Sequence, residues 1–218
     1  MALASKMLLR DEIRDELMDR IITGRIASGT SIRVTDLAAD LDVSPTPARE
    51  ALTQLEREGF VYTEPNRGFF VKPLNQHEAR EIYEVLSELE RMAVRVQGTI
   101  SVEHHRDLSK LNREISKHRS DPKGLVLADN RWHRKLIDAC GNTTLSEVIE
   151  QLRQRNTRYG YAWMQVSGKA GDSRKDHSKI ADLLRDGAVE DAATLIKEHW
   201  HRSQKFIDIW SDSPARNM

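Results

Sequence analysis

Between residues 60 and 72 the chain leaves helical spacing for two β-prone runs, 60–63 and 68–72, split by the polar tip Glu64, Pro65, Asn66 and Arg67. Such a pattern predicts a hairpin. It also sits in one place only, because nothing after Pro73 reads as a strand. Upstream of it, Leu8, Leu9, Ile13, Leu17 and Ile21 recur at steps of three and four, predicting an amphipathic helix over 8–24 that stops near Gly24. A turn at Ser28, Gly29 and Thr30 leads to a short second helix around 34–41, with Thr35 as candidate N-cap and Ala38 and Ala39 allowing close packing. Ser44 is placed to cap a third helix through Leu55, with Pro45 and Pro47 in its first turn, where a missing amide hydrogen forfeits no intrahelical bond. Helix, helix, helix and hairpin predict a winged helix-turn-helix over residues 1–74.

Pro73, Leu74 and Asn75 interrupt the periodicity and mark a linker, after which Asn75 and Glu78 fit an N-cap with its capping partner. Helices are predicted at 76–97, 101–119, 122–139, 143–166, 173–186 and 189–210, punctuated by Gly98, Asp121-Pro122, Gly141-Asn142 and Gly187. The fold class is therefore mainly α: a winged helix-turn-helix over 1–74, then an all-α helical bundle over 75–212. A length of 218 residues allows two small cores.

Formal net charge is zero, and residues 1–74 hold ten Lys or Arg against twelve Asp or Glu. Any nucleic-acid surface must come from local placement and not from bulk charge. The lone Cys140 excludes an intramolecular disulfide, and no apolar run approaches the length of a membrane span. A cytoplasmic protein without membrane association is expected.

In a helix-turn-helix the second helix enters the major groove by its first turn. Here that turn presents Ser44, Thr46 and Arg49, flanked by Arg33 at the preceding helix start and Arg67 at the hairpin tip. A guanidinium at Arg49 suits a guanine edge or a phosphate. The stretch also resembles the GntR-type regulators, through Gly24-Arg25-Ile26, Gly29-Thr30, Asp36-Leu37-Ala38, the run from Val43-Ser44-Pro45-Thr46-Pro47 to Ala48-Arg49-Glu50-Ala51-Leu52, Leu55-Glu56, Glu58-Gly59 and Asn66-Arg67-Gly68. That resemblance implies a homodimer on a palindromic double-stranded operator, with Arg33, Ser44, Thr46, Arg49, Arg67 and Gly68 at the contacts. Pro45 departs from relatives that carry a basic residue there.

In the second half, Asp129 and His133 stand four residues apart on one predicted helix and share a face. His177 and His199 fall on two later helices; three imidazoles and a carboxylate would suit Zn, Ni, Mn or Fe with positions left open. Residues 76–210 resemble the ligand-sensing FCD domain of the FadR branch, in its shorter VanR-like form. The resemblance rests on Ile82-Tyr83-Glu84-Val85, Leu89-Glu90, Asp129, Trp132-His133, Gly141-Asn142, His177, Gly187, Ala192-Ala193 and His199. It implies a divalent metal, zinc foremost, on Asp129, His133, His177 and His199, and a small organic acid that completes its coordination. Where many relatives place an effector-pairing Arg this chain has Leu86, which leaves Arg91 and Arg153 as candidate partners. The function expected is a regulator, most simply a repressor, with no enzymatic activity. Two alternatives stand beside it: a regulator whose effector is the ion, and a metal-dependent hydrolase or lyase, for which no His-Glu-x-x-His pattern supplies a base.

Overall fold

The computed structural model describes residues 2–118, 120–167 and 173–211, with side chains over 9–118, 120–162 and 173–204. The described chain divides into two units, one ending at Leu74 and one beginning at Asn75.

The first unit holds α1 (Ala2–Ile22), β1 (Ser31–Ile32), α2 (Val34–Asp40), α3 (Pro45–Arg57), β2 (Val61–Glu64) and β3 (Gly68–Val71). Its core forms where Ile13, Leu17 and Ile21 of α1 are buried together with Ala48, Ala51, Leu52 and Leu55 of α3, the helix α1 packs against. The sheet is antiparallel in the order β1-β3-β2, with Ile32 opposite Phe69 and Tyr62 opposite Phe70. β1 goes beyond the predicted hairpin: two residues are too short for alternation to show in sequence.

Because that strand leaves Arg33 extended, α2 starts at once after it, with Arg33 and not Thr35 at the N-cap. The Thr35 hydroxyl bonds the Asp36 carboxylate at 3.2 Å. Between α2 and α3, Asp42 takes φ 52°, and the Val43 amide donates to the Ala38 carbonyl at 2.9 Å. A left-handed residue closing a helix in this way turns the chain sharply enough to bring α3 across α2. At the hairpin tip Asn66 (φ 63°) and Gly68 (φ 89°) bend the chain back, a geometry most side chains resist.

The second unit comprises α4 (Gln76–Gln97), α5 (Val102–Ile115), α6 (Pro122–Ile137), α7 (Thr143–Ser167), α8 (Ser173–Arg185) and α9 (Val189–Ser211). Short 3-10 turns at Ser116–His118 and Asp138–Cys140 finish α5 and α6, so these α-helices stop before the predicted ends. α4 lies along α9 with α7 beside it, while α5 packs against α6 and α8. Leu86, Leu108, Ile115, Trp132, Leu136, Ile149, Ile180 and Leu184 fill the core. Among the described residues no helix is long and apolar enough to cross a membrane.

α4 begins where Asn75 Oδ1 accepts from the His77 and Glu78 amides at 2.8 and 3.2 Å. Glu78, the capping partner that the sequence suggests, is drawn across to α7. Its carboxylate accepts from the Tyr159 hydroxyl at 2.9 Å and pairs with Arg155, both on α7. Tyr159 takes over the capping task, its oxygen accepting the Asn75 amide at 3.4 Å.

Leu52 has no exposed surface. Leu52→Ala is expected to destabilise the first unit by about 2 to 5 kcal/mol, measured as a lowered urea midpoint.

Candidate functional site

α6, α8 and α9 each contribute one buried imidazole to a single point in the second unit: His133, His177 and His199. One ring nitrogen from each lies within 4.8 Å of the others, and the ring centroids are 5.1 to 5.3 Å apart. Asp129, one turn before His133, reaches the same point. Its Oδ2 is 3.6 Å from His133 Nε2 and its Oδ1 is 3.6 Å from His177 Nε2. Helical spacing thus sets two of the four groups, and packing of three helices sets the rest.

The rings are held differently. His133 Nδ1 donates to Glu90 Oε2 at 2.7 Å, and His199 Nδ1 bonds Asp176 Oδ2 at 3.1 Å. His177 stacks on Trp132 with centroids 3.7 Å apart and planes 6° from parallel. Both of its nitrogens are buried without a hydrogen-bond partner. Orphaned buried polar atoms of this kind are costly unless something occupies them. A neutral imidazole keeps one ring lone pair, and a cation accepting it would satisfy that nitrogen of His177, so the donor set fits a divalent ion; the three rings form a candidate three-histidine metal site.

Electrostatics favour the neutral, metal-ready imidazole. Burial, with His199 and His133 nearby, drives His177 well below the ordinary histidine range. Burial also lowers His133, outweighing the pull of Glu90. For Asp176, burial is overcome by His199 and Arg202, which hold the carboxyl below its usual range.

A polar seam surrounds the cluster, and the sequence reading missed most of it. Glu90, fully buried on α4, accepts from His133, from Arg153 Nη1 at 2.7 Å and from Trp200 Nε1 at 2.9 Å. Burial opposes its charge, yet the Arg153 guanidinium and the hydrogen bonds from His133 and Trp200 hold it ionised. Arg153 also donates to Asn130 Oδ1 at 2.7 Å, and Asn130 bonds Thr157 at 3.0 Å. The other candidate effector partner, Arg91, pairs with Glu88 on its own helix at 3.1 Å. Leu86 lies in the core one turn before Glu90, on the same face of α4. The available signal for Glu90 was an acidic residue at a core-facing helical position; for Asp176 it was adjacency to His177.

In the first unit, Ser44, Thr46 and Arg49 are exposed at the start of α3, while Pro47 and Ala48 face inward. Ser44 is the N-cap residue but its hydroxyl makes no cap bond. Arg33 is exposed at the start of α2. Arg67, exposed at the hairpin tip, pairs with Glu64 and lies 5.1 Å over the Phe70 ring, which stiffens it beside Gly68.

Comparison with known proteins matches both units. Residues 9–71 match the bacterial regulatory proteins of the gntR family, and residues 81–202 match the FCD domain. The chain is 31% identical over 176 residues to the Nta operon transcriptional regulator of Aminobacter aminovorans, spanning 78% of this chain and 81% of that protein. It is 29% identical over 170 residues to the gluconate operon transcriptional repressor of Bacillus subtilis (strain 168), covering 77% and 69%. The fold is shared with E. coli McbR/YncC, at a TM-score of 0.79, 19% identity and 94% and 99% coverage.

With His133 and His177 neutral in the folded chain and titrating near pH 6.5 when unfolded, their contribution to stability is complete above about pH 6.5 and is lost as pH falls below it. Chelator-treated protein is expected to melt at lower temperature at about pH 5.5 than at about pH 7.5, and His177→Gln to reduce the difference. Thermal melts followed by circular dichroism check this.

Proposed function

The chain belongs to the GntR family of bacterial regulators and carries the FCD domain, and from that premise we propose that it is a ligand-responsive repressor with a metal ion in its helical domain. It is a DNA-binding transcription regulator and not an enzyme; the hydrolase or lyase reading is set aside.

In this reading a homodimer places two copies of α3 on a palindromic operator. Ser44, Thr46 and Arg49 address the major groove, while Arg33, Arg67 and Gly68 fix the register on the phosphates. The exposed, uncapped Ser44 hydroxyl and the exposed Arg49 support it, since both groups are free to meet DNA without first breaking a bond in the protein. The division at Leu74 separates the DNA-binding domain from the effector domain.

The observation that carries the metal assignment is His177, stacked, buried and unpartnered at the point where His133 and His199 converge. His133, His177, His199 and Asp129 would hold a divalent ion, zinc foremost, with Ni, Mn and Fe as competitors. The ion supplies open coordination positions for a small ligand such as a carboxylate. Ligand binding then shifts operator affinity, because two linked equilibria must respond to each other.

A second reading, in which the ion itself is the effector, is favoured by one feature. The cations that would receive an organic acid are already engaged, Arg153 by Glu90 and Asn130 and Arg91 by Glu88, and position 86 is Leu. Titrating operator binding with Zn²⁺ alone, then with candidate acids at saturating Zn²⁺, separates the two.

Arg49→Ala is expected to abolish specific operator binding in fluorescence anisotropy while leaving the helical circular dichroism intact. Purified protein is expected to carry or take up about one metal ion per chain by elemental analysis, and His133→Ala with His177→Ala to remove it. Protein that takes up no ion, and whose operator response survives both changes, contradicts the metal site.

A further inference from the structure

Glu90 is the one carboxylate among the described residues that is fully buried, and its charge is used entirely inside the bundle. Burying such an anion is strongly unfavourable unless it is paired and its lone pairs are filled. Here Oε1 accepts from Arg153 and Oε2 from both His133 Nδ1 and Trp200 Nε1. A position serving packing alone would be met more cheaply by an apolar residue of similar size, as at Leu86 one turn earlier on the same face.

The partners chosen have a chemical consequence. An ionised carboxylate only accepts, so the proton of His133 must reside on Nδ1. Nε2 is then left with its lone pair, and Nε2 is the atom that lies 3.6 Å from Asp129, on the side where His177 also reaches that carboxylate. The contact at 2.7 Å also fixes the plane of the ring. Arg153 and Trp200, from α7 and α9, hold the carboxylate in turn, so it cannot rotate away from His133.

We propose that Glu90 is the positioning residue of the metal centre: it does not touch the ion but fixes the tautomer and orientation of His133, and thereby sets metal affinity. The proposal rests on the metal reading above and adds a residue outside the four ligand candidates. Groups of this kind, behind a ligating histidine, typically change metal affinity by about 10- to 100-fold. Asp176 behind His199 offers a weaker counterpart, since it is part-exposed and shared with Arg202.

The test is a cycle in the full-length protein using Co²⁺ and Zn²⁺ as probes, with affinities from chelator competition and the Co²⁺ ligand-field bands recorded. Glu90→Gln is expected to weaken binding about 10- to 100-fold and to shift those bands. In a His133→Ala background the same change is expected to have little further effect, because its route to the ion is gone. Equal losses in both backgrounds, or wild-type affinity and unshifted bands in Glu90→Gln, overturn the proposal. Should Glu90→Gln fail to melt cooperatively, Glu90→Gln with Arg153→Gln, which removes the buried cation with the anion, carries the same comparison. Wild-type protein that binds neither ion sinks the metal reading itself, an outcome distinct from a wild type that binds and a variant that binds equally well.

Discussion

The helical domain is organised around a charge it had every energetic reason to avoid. Glu90 sits on α4 with no exposed surface, and its donors come from α6, α7 and α9 through His133, Arg153 and Trp200. Hydrophobic burial is indifferent to small rotations of a helix, whereas three directional bonds to one carboxylate are not. Four of the six helices are therefore indexed to each other by hydrogen bonds, and the histidine cluster inherits that precision. Removing Arg153 would leave the buried Glu90 charge uncompensated, and removing His133 or Trp200 would leave one of its lone pairs unfilled, so the members of the seam support one another.

The amino-terminal unit solves the opposite problem, keeping polar groups outward and unspent. Its apolar residues are consumed by the packing of α1 on α3, and Pro47 and Ala48 turn the first turn of α3 so that Thr46 and Arg49 stay outside. Net charge contributes nothing here, since acidic residues slightly outnumber basic ones over residues 1–74. What matters is that the first turn of α3, with Ser44 at its N-cap and Thr46 and Arg49 exposed, carries no acidic residue. Local arrangement substitutes for bulk electrostatics.

Much of this was legible in the sequence, for reasons that differ by element. The helices of the second unit announced themselves because glycines and Asp121-Pro122 interrupt a strong period of three and four. β1 did not, because two residues carry no period. Thr35 was a plausible cap by type, but a cap is decided by backbone conformation, and the extended residue is Arg33. The contacts of Glu78 with Tyr159 and Arg155, about eighty residues away, left no trace near Glu78 in the sequence. The histidines could be named from their order along the chain, whereas Glu90 and Arg153 acquire their meaning only when α4 and α7 come together.

The stack of His177 on Trp132 gives the protein an optical gauge of its own. Indole emission is sensitive to whatever its nearest π-neighbour carries, and this imidazole has no other bond to distract it. A closed-shell ion landing on that ring and an open-shell one would dim or brighten the fluorescence differently. An ion bound as proposed above would thus be read out through the protein's own fluorescence, without a dye.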